Sequence, residues 1–305
     1  MTKSDRAVHT VETGQERIER VLSYIHNNIS ESISLEDIAK YSCWSRWQLQ
    51  RVFQNQTGIS VATYVRELKL SAAAERMLDT SDKLIDIAFD LGFNSEISFS
   101  RAFKQMFNLS PRAYRKAGVR TGLRKPLQYH SVKFKYGQQG SALADVRIET
   151  SNGFTVVGIQ QQVNGLFSQQ PDFNQRVPET WQRLAEKIDL SQHEHIGVFD
   201  LSCADDLQTT FTYWAAIPYQ DYTKVDCPDG MEVLAIPAQT YVVVNHKGSI
   251  ETLSSSLEWV LIHWLPNSGY RAIDGFELEH YPADYQVEEP ESTSTMEYWI
   301  PIERE

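Results

Sequence analysis

Along the first 120 residues, apolar positions recur three and four apart. Ile18, Val21, Leu22 and Ile25 form one stripe. It follows Thr13-Gly14-Gln15-Glu16, where a threonine oxygen and a glutamate three residues later satisfy the unpaired N–H groups of a helix start. Ser34-Leu35-Glu36-Asp37 opens a shorter helix with Leu35, Ile38 and Ala39 inward, and Ser45-Arg46-Trp47-Gln48 opens another with Leu49, Val52 and Phe53 inward. Gly58 stands where a helix stop favours left-handed backbone. The pattern then repeats. Leu35, Asp37, Ile38 and Ala39 match Leu84, Asp86, Ile87 and Ala88, 49 residues on. Ser45, Arg51 and Phe53 match Ser95, Arg101 and Phe103, 50 residues on. Asn108 answers Gly58, Ser110 answers Ser60 and Tyr114 answers Tyr64. A helix-turn-helix unit thus occurs twice.

Between the units, VATYVRELKLSAAAERMLDT (61–80) contains no glycine or proline. As a helix of about 30 Å, it sets two recognition helices on successive major grooves, about 34 Å apart. With Leu49, Val52 and Phe53 inward, Arg46, Trp47, Gln50, Arg51 and Gln54 are expected to project outward. Arginine bonds guanine bidentately, glutamine bonds adenine, and tryptophan contacts sugar or the thymine methyl. An all-α bundle without DNA leaves such a face unexplained.

The second half changes period. A strand-like run at 154–159 precedes a helix at about 172–188 around Trp181 and Leu184, then strand-like runs at 195–201 and 209–217. The order recurs as a strand at 241–245, a helix at about 249–264 and strands at 275–281 and 295–302. The fold class expected is multidomain: an all-α double helix-turn-helix domain and an α+β domain of two strand-helix-strand-strand units sharing a groove. The boundaries are a tail at 1–14, the DNA-binding domain at 15–116, a basic linker at 117–141 and the α+β domain at 142–305.

Charge sharpens this division. The net charge of −11 conceals an N-terminal part, 1–125, with 19 Lys+Arg against 14 Asp+Glu, and a remainder with 10 against 26. A basic module joined to an acidic one fits nucleic-acid binding by the first. No run reaches the roughly 18 to 20 apolar residues that span a bilayer, and MTKSDRAVHTVETGQ lacks the apolar core of a secretory signal. A cytoplasmic protein that engages no membrane is expected. Cys43, Cys203 and Cys227 have no metal-ligand spacing, and His193-Glu194-His195 lies in a polar stretch, so no metal or other cofactor is expected.

LEDIAKYSCWSRWQLQRVFQNQTG (35–58) and DIAFDLGFNSEISFSRAFKQMFNLSPRAYR (86–115) resemble the AraC/XylS family of transcription regulators. The resemblance implies double-stranded DNA and RNA polymerase as partners, and an activator role. It places Arg46, Trp47, Gln50 and Arg51 at the contacting positions of the first recognition helix, and Glu96, Ile97, Ser98, Ser100 and Arg101 at those of the second. Similar family members with the DNA module at the N-terminus have two glutamines where this chain has Glu96-Ile97. Ile97 offers apolar contact alone, and Glu96 accepts from cytosine or repels phosphate.

YVVVNHKG (241–248), FELEHYPADY (276–285) and EYWIPI (297–302) resemble the GyrI-like ligand-binding domain. That family's pocket glutamate lies in an E-x-Y segment, which Glu279-His280-Tyr281 matches. Glu279 and Tyr281 are therefore expected at a pocket, with Tyr213, Trp214 and Trp181 as walls. A carboxylate among aromatic rings favours a small lipophilic or cationic effector. Two other readings are a hydrolase of small electrophiles using Glu279 and Tyr281, and a scaffold binding a protein partner.

Overall fold

The computed structural model describes residues 14–31, 33–127, 145–164, 172–202, 210–219, 230–247, 250–283, 285 and 295–305. The chain divides into two units, Ile18–Ser42 with Arg46–Gly137, and Gln138–Glu305 with Met1–Arg17 and Cys43–Ser45. Among the described residues, no helix is long and apolar enough to cross a membrane.

The helical part runs α1 (Gly14–Asn27), α2 (Leu35–Ser42), α3 (Arg46–Thr57), α4 (Val61–Asp79), α5 (Leu84–Asp90), α6 (Glu96–Phe107) and α7 (Pro111–Ala117). Four of the starts are marked by a serine cap. At α2 the Asp37 amide donates to Ser34 Oγ and the Ser34 amide donates back to the Asp37 carboxylate, both at 3.1 Å. Ser60, Ser95 and Ser110 cap α4, α6 and α7 in the same manner. Helix ends are marked too: Gly58 and Asn108 are left-handed at φ 81° and 56°. The helix-turn-helix turns also need that geometry, supplied by Gly92 at φ 81° and by Cys43 at φ 59°. α4 serves both repeats. Its Tyr64 packs near Phe53 of α3. Its Leu70, Ala73, Ala74 and Met77 enter a core with Ile87, Phe99, Phe103 and Tyr114.

The second part is built on β1 (Asp145–Ser151), β2 (Phe154–Asn164), α8 (Phe173–Ala185), β3 (His195–Asp200), β4 (Thr210–Pro218), β5 (Glu232–Ile236), β6 (Gln239–Lys247), α9 (Ile250–Trp259), β7 (Tyr270–Ala272), β8 (Phe276–Tyr281) and β9 (Thr295–Arg304). The two expected strand-helix-strand-strand units are β2-α8-β3-β4 and β6-α9-β8-β9. They form one antiparallel sheet in the order β1-β6-β9-β8-β3-β4-β2-β5, with β7 on β9. Their seam is the β3–β8 pair. The leading strands are exchanged: β1, which leads into β2, pairs with β6, while β5, which leads into β6, pairs with β2.

Alternate residues of each strand face opposite sides. One side meets the helices: Trp181 of α8 donates to Tyr213 of β4, and His246 of β6 bonds Thr252 and Ser256 of α9. The other side carries an apolar cluster including Val156, Val198, Trp214, Tyr241, Leu278 and Trp299. There the rings of Phe154 on β2 and His280 on β8 are 6.3 Å apart although two strands lie between them. A flat sheet would separate those strands by about 14 Å, so the sheet curls around this cluster.

Candidate functional site

The recognition helices are presented differently. α6 buries Phe99 and Phe103 of its twelve residues. Ile97 is 66% exposed, Ser98 and Arg101 are exposed, and Glu96 and Ser100 are half-buried. α3 departs from expectation: Trp47 and Gln50 do not project into solvent but are 7% and 3% exposed. Gln48 and Leu49 between them are buried as well. Four successive buried residues, about 100° apart, go once around the helix axis. The three-and-four spacing identifies one inward face, whereas on α3 residues 47 to 50 are buried in succession. Arg46, 17% exposed at its side chain, lies 3.7 Å from Glu36, and Arg51 and Gln54 are partly exposed.

The second site lies at the sheet seam, on the helix-covered side. Glu279 of β8 sits opposite Gly197 of β3. A Cβ at Gly197 would come within 2.6 Å of both Glu279 Oε2 and Tyr213 Oη, so any larger residue there must push these two groups aside. Trp181 Nε1 donates to Tyr213 Oη at 2.8 Å, and the Tyr213 hydroxyl donates to Glu279 Oε2 at 3.1 Å. Tyr281 also hydrogen-bonds the carboxylate. Phe199 stands against Tyr213, and Trp181 meets Tyr281 edge-on. Glu279 is 7% exposed, and burial pushes its pKa up to about 7, against the lowering pull of the two tyrosine hydroxyls. Burial, and then the nearby Glu279 charge, raise Tyr213 and Tyr281 well above the ordinary phenol range.

Glu279, Tyr281, Tyr213 and Trp181 therefore come together. Trp214 does not. As the neighbour of Tyr213 on one strand it points to the opposite side, into the apolar cluster with Val198 and Leu278. Sequence reasoning passed over Glu277, which is 3% exposed and accepts a 2.6 Å bond from the Tyr298 hydroxyl. The alternation Glu277-Leu278-Glu279 was the available signal, since it puts both carboxylates on one face.

Among the described residues no cluster of three or more His, Cys, Asp or Glu could hold a metal. His195 Nε2 lies 2.8 Å from the Leu190 carbonyl, and Glu194 turns toward His280 at 3.6 Å.

A helix-turn-helix domain model matches residues 38–117, and a GyrI-like small molecule binding domain model matches 144–303. The multiple antibiotic resistance protein MarA of Salmonella typhimurium is 33% identical over 98 residues, covering 32% of this chain and 77% of that protein. The transposon Tn10 TetD protein of Escherichia coli is 35% identical over 112 residues, or 37% and 78%. An uncharacterized HTH-type transcriptional regulator of Bacillus subtilis, YbfP, is 36% identical over 121 residues, 40% of this chain and 41% of that relative, so the chain matches under half its length. With the doubled helix-turn-helix and the paired strand-helix-strand-strand units, these likenesses place the chain in a family: it belongs to the AraC/XylS-type DNA-binding transcription regulators, with a C-terminal GyrI-like small-molecule-binding domain.

Proposed function

We propose that this chain is a cytoplasmic transcription activator that reads two successive major grooves through α3 and α6, works with RNA polymerase, and is controlled by a small lipophilic cation held at Glu279. The groove reading is supported by α4, whose 19 residues rise about 28 Å, close to the ~34 Å turn of DNA. On α6, Ile97, Ser98 and Arg101 are exposed, and on α3 Arg51 and Gln54 are partly exposed.

The observation that carries the effector reading is a buried carboxylate ringed by Tyr213, Tyr281, Phe199 and Trp181. Burial penalises its charge; a cation among the aromatic faces would offset that penalty. Benzyltrimethylammonium and its neutral isostere neopentylbenzene differ by one charge at equal shape. In thermal-shift measurements on the full chain, the cation at ten times its Kd is expected to stabilise by about 1.4 kcal/mol, and the neutral compound by less. Glu279→Gln is expected to abolish that preference. Equal shifts for both compounds in both proteins would remove Glu279 from the site.

Protonation gives a second readout. A folded carboxyl titrating at about 7, against an ordinary 4.5, binds protons more tightly folded than unfolded. Stability then falls as pH rises from 4.5 to 7, by about 3 kcal/mol for this group. Cation binding strengthens between pH 6 and pH 8, roughly tenfold, as the competing proton leaves. Glu279→Gln is expected to flatten both profiles. A wild-type profile already flat across pH 6 to 8 counts against a carboxyl titrating there.

A further inference from the structure

After α7 the chain turns back onto the helical unit. Gly118 is left-handed at φ 66°, and residues 119–127 then run along α4 from its last turn to its first. Arg120 pairs with Asp79 at the end of α4. The Tyr114 hydroxyl donates to the Thr121 carbonyl at 2.9 Å and accepts from its amide at 3.0 Å. Gly122 lies so close to Phe107 that a Cβ there would be 3.2 Å from the ring, and Leu123 packs on the core of the second helix-turn-helix unit. The Arg124 amide donates to Ser71 Oγ at 2.8 Å, and its guanidinium donates to Glu67 at 2.6 Å. The Leu127 amide donates to the Tyr64 hydroxyl at 2.8 Å, which is bonded in turn to His26 of α1 at 2.6 Å.

The lengths match. Seven steps of extended chain from Arg120 to Leu127 span at most about 23 Å, and the helix from Tyr64 to Asp79 rises about 22 Å. The anchors serve different ends of the rod. Tyr64 also touches Phe53 of the first unit, whereas Tyr114, Phe107 and the Leu123 contacts belong to the second. The helix-turn-helix family match stops at residue 117, so this strap lies outside it.

We propose that residues 119–127 are a clamp belonging to the DNA-binding domain, which fixes the angle between α3 and α6 and so selects the spacing of the two DNA half-sites. A helix tied at four levels along one side resists bending and twisting better than the same helix alone. Arg124, Ser71 and Tyr64 act as positioning residues without touching a base. The inference rests on the two-groove reading.

The test uses the full chain and a duplex selected by the wild type from a randomised pool. One base pair is then inserted between the half-sites, turning one against the other by about 34°. Wild type is expected to lose affinity on the order of tenfold, the worth of one good base contact. Ser71→Ala with Tyr64→Phe keeps the packed rings but removes the acceptors for the Arg124 and Leu127 amides. In that variant the insertion penalty is expected to fall below about threefold, because looser linkage tolerates more spacings. General destabilisation would weaken both duplexes by one common factor and leave the penalty intact. An unchanged penalty in a variant with wild-type circular dichroism overturns the clamp. If the double variant does not fold, Arg124→Ala carries the same comparison. A wild type that protects a single groove, or ignores the insertion, overturns the two-groove reading itself and the clamp with it; that result is read before any variant is made.

Discussion

α3 and α6 have equal length and descend from the same repeated pattern, yet α3 buries seven of its twelve residues and α6 two. Inward residues are equivalent: Leu49, Val52 and Phe53 in α3, Phe99 and Phe103 in α6. What differs is the remainder. α3 has Trp47, Gln48 and Gln50, all buried, where α6 has Ile97, Ser98 and Ser100, exposed or half-buried. Helical periodicity reports the face that a helix turns to its own core. It does not report what happens to the rest of its circumference.

The contrast breaks most directly on DNA. Arg101→Ala is expected to cost about 1–3 kcal/mol of binding if Arg101 reads a base, measured by fluorescence anisotropy on a selected duplex. Arg51→Ala is expected to match it, because the two helices occupy equivalent places in the repeat. If Arg51→Ala binds as wild type while Arg101→Ala does not, α6 reads alone. The burial of Gln50 has its own measurement. In a chain whose native cysteines are replaced by serine, a thiol at Gln50→Cys is expected to react with maleimide at least about tenfold more slowly than one at Ser98→Cys, as protected positions do. Equal rates without DNA would show that α3 is already open. The smallest effect separates the two turns. Gly92→Ala puts a side chain at φ 81° and is expected to cost about 1–2 kcal/mol. Cys43→Gly relieves a similar strain but loosens the unfolded chain, so its stability is expected to change by under about 1 kcal/mol. Chemical denaturation reads both.

Much of this architecture was legible in the sequence because the two periods, 3.6 and 2, are strongly written. The serine caps, the Gly58–Asn108 equivalence and the two strand-helix-strand-strand units follow from them. β1 was not legible. DVRIETS mixes charged and β-branched residues, and its partner β6 lies almost a hundred residues away. β5 is five residues long and borrows its pairing from the opposite half. At the sheet seam, the E-x-Y match pointed to Glu279 and Tyr281, which the fold brings together with Tyr213 and Trp181. Trp214 was misassigned because adjacent aromatic residues on a strand cannot line the same side. Gly197 carried no sequence signal as a site residue, since its role depends on what faces it across the seam.

The exchanged leading strands bear on how the C-terminal sheet comes apart. Each half lends its first strand to the other, and Gly153 in the β1–β2 turn approaches the backbone of Ile236 and Ala238 in the β5–β6 turn to 3.0 Å. Neither half can unravel without stripping a strand from its neighbour, so the sheet has no subunit of its own to lose first. Heat or denaturant meets one barrier there, and one half expressed alone would carry a strand seeking a partner, the condition that drives identical chains to swap segments. Glu279 and Gly197 sit where the halves meet, so the buried carboxyl at the seam is held by the whole sheet rather than by either half.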